Sequence, residues 1–119
     1  MQDCIFCKIV NKEVPAAILF ENATSAMFTP LDPVTKGHVL IVPKKHYQDI
    51  FDINTDILLE LISIAQKTAR DIVKKQEATG INLLHASGKD AQQSISHFHL
   101  HLVPRYPKDG LDLWLKNNL

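Results

Sequence analysis

No run in this 119-residue sequence comes near the roughly 20 consecutive apolar residues that a membrane-spanning helix needs. Met1-Gln2-Asp3-Cys4 lacks the basic start and apolar core of a secretory signal, which points to a cytoplasmic protein. Charge of one sign is lacking too, with Lys and Arg together at 13 and Asp and Glu together at 13. No overall field therefore draws the chain to nucleic acid or to a membrane surface, and an anionic small molecule would need local donors. Cysteine is down to two residues, Cys4 and Cys7, too few for a disulfide-stapled scaffold. In a reducing compartment such a pair suits metal or redox chemistry better. No internal repeat, linker or low-complexity tract interrupts the chain. The expectation is a single domain over residues 1–119, with an ordinary 45% hydrophobic share and room for one core.

What is present falls into short periodic segments. Cys4–Val10 reads as a short helix or turn, stopped by Pro15. Ala17–Glu21 and Ser25–Phe28 read as a hairpin around Asn22, and two prolines with Gly37 mark the next stretch as a loop. His38–Pro43 is almost continuously apolar, as a strand buried on both faces should be. A long helix is expected from about Asn54 to Glu77, capped by Asn54 or Thr55 and ended by Thr79-Gly80. Leu58, Leu61, Ile62, Ala65, Ala69, Ile72 and Val73 would form its buried stripe. Ile81–His85 and His97–Val103 complete the strands, separated by a polar loop from Ala86 to Ser96. The predicted class is α+β: a five-stranded, mostly antiparallel sheet with one long and one short helix. The tail from Pro104, with Trp114, is expected to pack on the sheet, on a partner chain or at the mouth of a site.

Three motifs carry chemistry. In His97-Phe98-His99-Leu100-His101-Leu102 the histidines alternate with apolar residues, so a strand would put all three imidazoles on one face. Neutral imidazoles can bind metal, and one can serve as nucleophile or general base near pH 7. Cys4-x-x-Cys7 has the spacing that lets both sulfurs reach one tetrahedral zinc, although redox pairs share it. All six histidines could supply the remaining ligands, and His46 and His97, at strand ends, are the best placed. The loop Gly88–Ser96 offers amides and hydroxyls that could cradle a phosphate just ahead of His99, the central and best-placed nucleophile. Lys36-Gly37-His38 adds a further histidine at the entrance to the apolar strand.

These residues, in this order, resemble the histidine triad (HIT) superfamily of nucleotide hydrolases and transferases. The likeness is to its Hint-like branch and covers almost the whole chain. It rests on Cys4-x-x-Cys7-Lys8-Ile9, Lys36-Gly37-His38, Ile41-Val42-Pro43-Lys44-Lys45-His46, Gln93-Ser94 and His97-x-His99-x-His101. The resemblance implies a homodimer whose two five-stranded sheets join into one. It implies hydrolysis at the α-phosphate of a purine nucleotide conjugate, above all a nucleoside 5′-phosphoramidate, through a covalent nucleotidyl-histidine. On that pattern His99 is the nucleophile and His101 and His38 support it. Gln93 contacts the α-phosphate, and Ser94 assists the leaving amine. Cys4, Cys7, His46 and His97 hold a structural zinc. Dinucleoside polyphosphate hydrolysis or nucleotidyl transfer, or nucleotide binding with little turnover, is the alternative. Two positions depart from the pattern. Pro30 stands where relatives carry the ribose-binding Asp, leaving Asp32 as the nearby substitute, and Gln92 stands where they carry Gly.

Overall fold

The structure, a computed structural model, describes residues 3–116. Helix α1 (Ile5–Val10) leads into the hairpin β1 (Ile18–Glu21) and β2 (Ser25–Phe28), then β3 (Val39–Pro43). Helix α2 (Thr55–Gln76), β4 (Gly80–Leu84) and β5 (Leu100–Arg105) follow. The five strands form one sheet in the order β1-β2-β3-β5-β4, and every neighbouring pair is antiparallel. This is the expected α+β architecture. Among the described residues, no helix is long and apolar enough to cross a membrane.

The apolar run of β3 explains the layering. All five of its residues are buried, because successive side chains point to opposite faces and both faces are covered. Val39 and Ile41 join Leu100, Leu102 and Phe98 beneath Leu61 and Ala65 of α2. Leu40 and Val42 join Ala26 and Phe28 beneath Phe6, Ile9 and Val10 of α1. Burying a side chain such as Ile41 or Leu61 completely contributes about 1.5–3 kcal/mol. The inward stripe of α2 is Ile57, Leu58, Leu61, Ile64, Ala65, Ala69 and Ile72. Ile62, expected within it, lies on the outer flank at 41% exposure, one residue and so about 100° around the helix from Leu61. Asn54 caps the helix by accepting the Ile57 N–H at 3.1 Å. The terminator is Glu77, left-handed at φ 58°, rather than Thr79-Gly80, and Gly80 begins β4.

The last strand also begins later than expected. The ladder starts at Leu100 rather than His97. The reason is local: the His97 carbonyl accepts the His99 Nδ1–H at 2.8 Å and the His99 carbonyl accepts the His85 Nδ1–H at 2.9 Å. Imidazoles thus occupy the acceptors a neighbouring strand would need. The alternation of faces survives, since Phe98 and Leu100 point to α2 while His97 and His99 meet Phe6 of α1. Past β5, Arg105 grips Asp109, the Asn82 side chain and the Leu111 carbonyl, tying the start of the tail to β4. Trp114 remains 68% exposed.

Candidate functional site

Helix α1, the end of β3 and the approach to β5 bring Cys4, Cys7, His46 and His97 together, with one donor atom from each within 4.8 Å of the others. His97 Nε2–H donates to the Pro43 carbonyl at 2.8 Å, which leaves Nδ1 with its lone pair facing the cluster. That nitrogen lies 3.3 Å from Cys4 Sγ, 3.6 Å from Cys7 Sγ and 3.2 Å from His46 Nδ1. Cys7 Sγ is 3.3 Å from His46 Nδ1. A tetrahedral ion bound at zinc's ordinary bond lengths needs N···S edges of about 3.5 Å, so the donor set fits such an ion. Burial, with the Cys4 thiol beside it, pushes the Cys7 thiol up to about 11. A divalent cation is the partner that makes a buried thiolate favourable. These four residues could hold a metal ion.

Four further histidines, counting neighbouring turns, are ordered by their hydrogen bonds into fixed tautomers. His38 Nδ1 accepts the Val34 N–H at 3.1 Å, so its proton is on Nε2 and is donated to His101 Nδ1 at 3.0 Å. His101 must then carry its own proton on Nε2. His99 donates from Nδ1 to the His97 carbonyl, so its Nε2 keeps a free lone pair. His85 Nδ1–H holds the His99 carbonyl, and its Nε2 accepts the Ser87 hydroxyl at 2.5 Å while its ring stacks on Phe98. Burial holds His38 and His99 below the ordinary imidazole range, and burial with neighbouring imidazoles brings His101 down to about 4. At neutral pH these rings are uncharged. Ser87 was not singled out from the sequence, and His85 only as one of six possible metal ligands, although a histidine ending a strand beside the triplet was a visible signal. Phe6 was missed as well. Its ring stands edge-on to both His97 and His99, with centroids 5.7 and 5.1 Å away, and so touches one residue of the metal-ligand cluster and one of the remaining histidines.

The polar loop is held by Gln93. Its Oε1 accepts the Gly88 N–H at 2.8 Å, and Nε2 donates to the Gln48 and Ile95 carbonyls at 2.7 and 3.0 Å. Both amide N–H bonds are thus engaged within the protein. Gln92 adopts φ 70°, the left-handed region where glycine is at ease. Ser94 lines a cavity of about 400 Å³ with Asp3, Cys4, Ile5, His46, Ile95 and Ser96. An apolar cavity of about 580 Å³ adjoins it, sharing Ile5 and Ile95 and bounded also by Phe6, Phe28, Pro30, Leu31 and Leu40. Pro30 is therefore a wall residue, and Asp32 lies exposed in the loop beyond it. Of the residues expected from the sequence, the metal four, the His38–His101 pair with His99, and the loop of Gln93 and Ser94 converge on this face. Among the described residues, Asp32 has no hydrogen bond or ion pair with them.

Known proteins share this fold. The HIT domain family model matches residues 11–108. An adenosine 5′-monophosphoramidase of Saccharomyces cerevisiae is 38% identical over 109 residues, covering 91% of this chain and 66% of that one. A crystal structure of a HIT family protein from Bacillus anthracis superposes with a TM-score of 0.91 at 38% identity, covering 98% of this chain and 83% of the other. A zinc-bound histidine triad family protein from Mycobacterium smegmatis superposes with a TM-score of 0.88 at 31% identity, over 98% and 85% of the two chains. Matched along most of its length by the family model and by relatives that share its fold, the chain belongs to the HIT family.

Proposed function

We propose that the protein hydrolyses purine nucleoside 5′-phosphoramidates, with His99 as the nucleophile and a structural zinc on Cys4, Cys7, His46 and His97. The observation that carries the reading is the tautomer of His99: a neutral ring, its Nδ1–H fixed on the His97 carbonyl, with the lone pair free on Nε2. The apolar cavity bounded by Phe6, Phe28 and Leu40 takes the base, edge-on to the same Phe6 that touches His99. Asp32 is the acidic side chain nearest in the loop for the ribose hydroxyls. His99 Nε2 attacks the α-phosphorus, forming a P–N bond and leaving the ring a cation whose Nδ1–H keeps its carbonyl partner. The His101 Nε2–H, aimed by His38, donates to the phosphoryl oxygens as charge moves onto them. The bond to the leaving nitrogen breaks, and the amine departs with a proton relayed from solvent by the Ser94 hydroxyl. Water then attacks phosphorus, the P–N bond to His99 breaks, the lone pair returns to Nε2, and the water's proton is released. The nucleotide leaves as the monophosphate and the proton balance closes.

In this reading the loop shaped by Gln93 supplies backbone N–H donors to the phosphate. A direct contact from its amide requires one of its internal bonds to be exchanged. The metal-ligand cluster fixes α1, and with it Phe6, against the imidazoles. Strand β4, an edge of the sheet with Leu83 47% exposed, is the seam of the expected homodimer. Light scattering of the wild type and Leu83→Arg, with a monomeric wild type as the opposing result, tests the seam. For the chemistry, AMP release from adenosine 5′-phosphoramidate is compared between the wild type and His99→Ala. Turnover that disappears in the folded variant supports the reading. Equal turnover in both, or none in a wild type that binds AMP, overturns it.

A further inference from the structure

The β4–β5 ladder ends with Leu84 opposite His101, and an unbroken continuation would set Ala86 opposite His99. Instead the chain leaves the sheet, and the ring of His85 takes the His99 carbonyl at 2.9 Å in place of a strand. A carbonyl only accepts, so the proton is on His85 Nδ1 and the lone pair is on Nε2. That lone pair receives the Ser87 hydroxyl at 2.5 Å, and the Ser87 oxygen receives the Ile50 N–H at 2.9 Å. Every bond in the series points one way, from the main chain of Ile50 to the main chain of His99. The His85 ring also stacks on Phe98, which is fully buried in the core under α2. The segment before Ile50 is fastened twice more. The Tyr47 carbonyl accepts the Phe98 N–H at 2.6 Å, and the Gln48 carbonyl accepts the Gln93 amide at 2.7 Å.

Resting on the reading of His99 as the nucleophile, we infer that His85 is a positioning residue for the attack, acting through the His99 main chain. His99 has two anchors: its ring Nδ1–H on the His97 carbonyl, and its own carbonyl under the His85 Nδ1–H. The first orients the ring and the second fixes the backbone that carries it, so together they aim the Nε2 lone pair. Neither His85 nor Ser87 lines the apolar cavity assigned to the base or the cavity that adjoins it. Loss of the His85 bond therefore leaves nucleotide binding in place and misaims the nucleophile. Such a fault lowers kcat and spares KM.

The test is AMP release from adenosine 5′-phosphoramidate by the full-length, metal-loaded wild type and three variants, with Tm measured alongside. His85→Asn sets an amide N–H where the imidazole has Nδ1, so the bond to His99 survives and the one from Ser87 is lost. His85→Gln sets its amide where the imidazole has Nε2, which keeps Ser87 paired and leaves the His99 carbonyl bare. His85→Phe keeps only the ring on Phe98. Gln and Phe should lower kcat by about fivefold to thirtyfold with KM within about twofold, and Asn should stay within about threefold of the wild type in both. The opposite order, with Gln active and Asn slow, means that His85 serves the loop through Ser87, and it overturns the inference. Equal kcat in all four proteins, or one equal loss in all three variants, overturns it as well. In these cases the phosphoramidase reading stands as long as the wild type turns over and His99→Ala does not. No turnover in the wild type overturns both.

Discussion

Removing His38 tests whether two imidazoles work as one device. His38 is 5% exposed, accepts the Val34 N–H and donates to His101 Nδ1 at 3.0 Å. His38→Ala takes from His101 the hydrogen bond that sets its tautomer and ring angle. A neutral hydrogen bond of this kind contributes about 0.5–1.5 kcal/mol net. At 1.36 kcal/mol per tenfold in rate, the loss is about 2-fold to 12-fold in kcat/KM for a nucleoside phosphoramidate. His101→Ala removes the donor itself and should cost about 100-fold to 1,000-fold, the range for one oxyanion donor. If His38 acts only through His101, the double variant is no slower than His101→Ala alone. The assay is AMP release at substrate concentrations below KM, with thermal unfolding of each variant measured alongside. His38→Ala empties a buried position and orphans the Val34 N–H, a stability loss of about 2–4 kcal/mol. For 119 residues that lowers Tm by about 8–16 °C, so rates are compared at low temperature on folded protein. A double variant slowed by the product of the single effects would refute the coupling.

Elemental analysis should find one zinc per chain in the wild type and none in Cys7→Ser, whose Tm falls steeply while phosphoramidase activity of the folded protein persists in the cold. A chelator that stops turnover at once, with circular dichroism unchanged, contradicts a structural role for the metal. Gln92→Gly relieves a left-handed backbone at φ 70° and should stabilise the fold by about 0.5–1 kcal/mol. Calorimetry then shows Tm rising by about 2–4 °C, and a lower Tm goes against it. His101 sits at about 4 in the folded protein, lowered chiefly by burial, and His38 is lowered in the same sense. Between pH 6.5 and 4 the unfolded chain therefore binds protons that the folded one refuses. Stability is full above pH 6.5 and declines as pH drops, with His101 contributing about 1–2 kcal/mol of the loss by pH 5. Denaturant titrations at pH 7 and pH 5 should show a smaller loss in His101→Gln, and equal losses tell against the burial argument.

Much of the molecule was legible because its signals were local and periodic. The apolar run at 38–43, the alternation from His97 and the Asn54 cap each map onto one structural consequence. The misplacements have a common origin in hydrogen bonds and packing that only the folded chain sets. The start of β5 slid to Leu100 because the His85 and His99 rings claim backbone carbonyls, a side-chain competition that the alternating pattern does not display. The α2 terminator moved because Glu77 tolerates a left-handed turn whose N–H finds the Val73 carbonyl. Ile62 and Ile64 are equally apolar, and only the sheet beneath the helix decides which one turns inward. For the site, residue types and spacings pointed to side chains that the fold brings together. The direction of every proton in the chain of imidazoles came from three-dimensional neighbours such as the Val34 N–H and the Pro43 carbonyl.

The metal-ligand cluster joins positions 93 residues apart, Cys4 and His97. During synthesis the two thiols emerge first and wait for the last ligand. At 5–20 residues per second that interval is about 5–20 s. Through all of it the nascent chain presents a bare pair of soft donors that can be oxidised or can capture a competing ion. His46 arrives midway and could at most complete a three-donor, lower-affinity assembly. Only when His97 clears the ribosome can the cluster close, and the same five residues, His97 to His101, complete the imidazole array. Completion of the ligand set and of the imidazole array is therefore one late event, timed by translation.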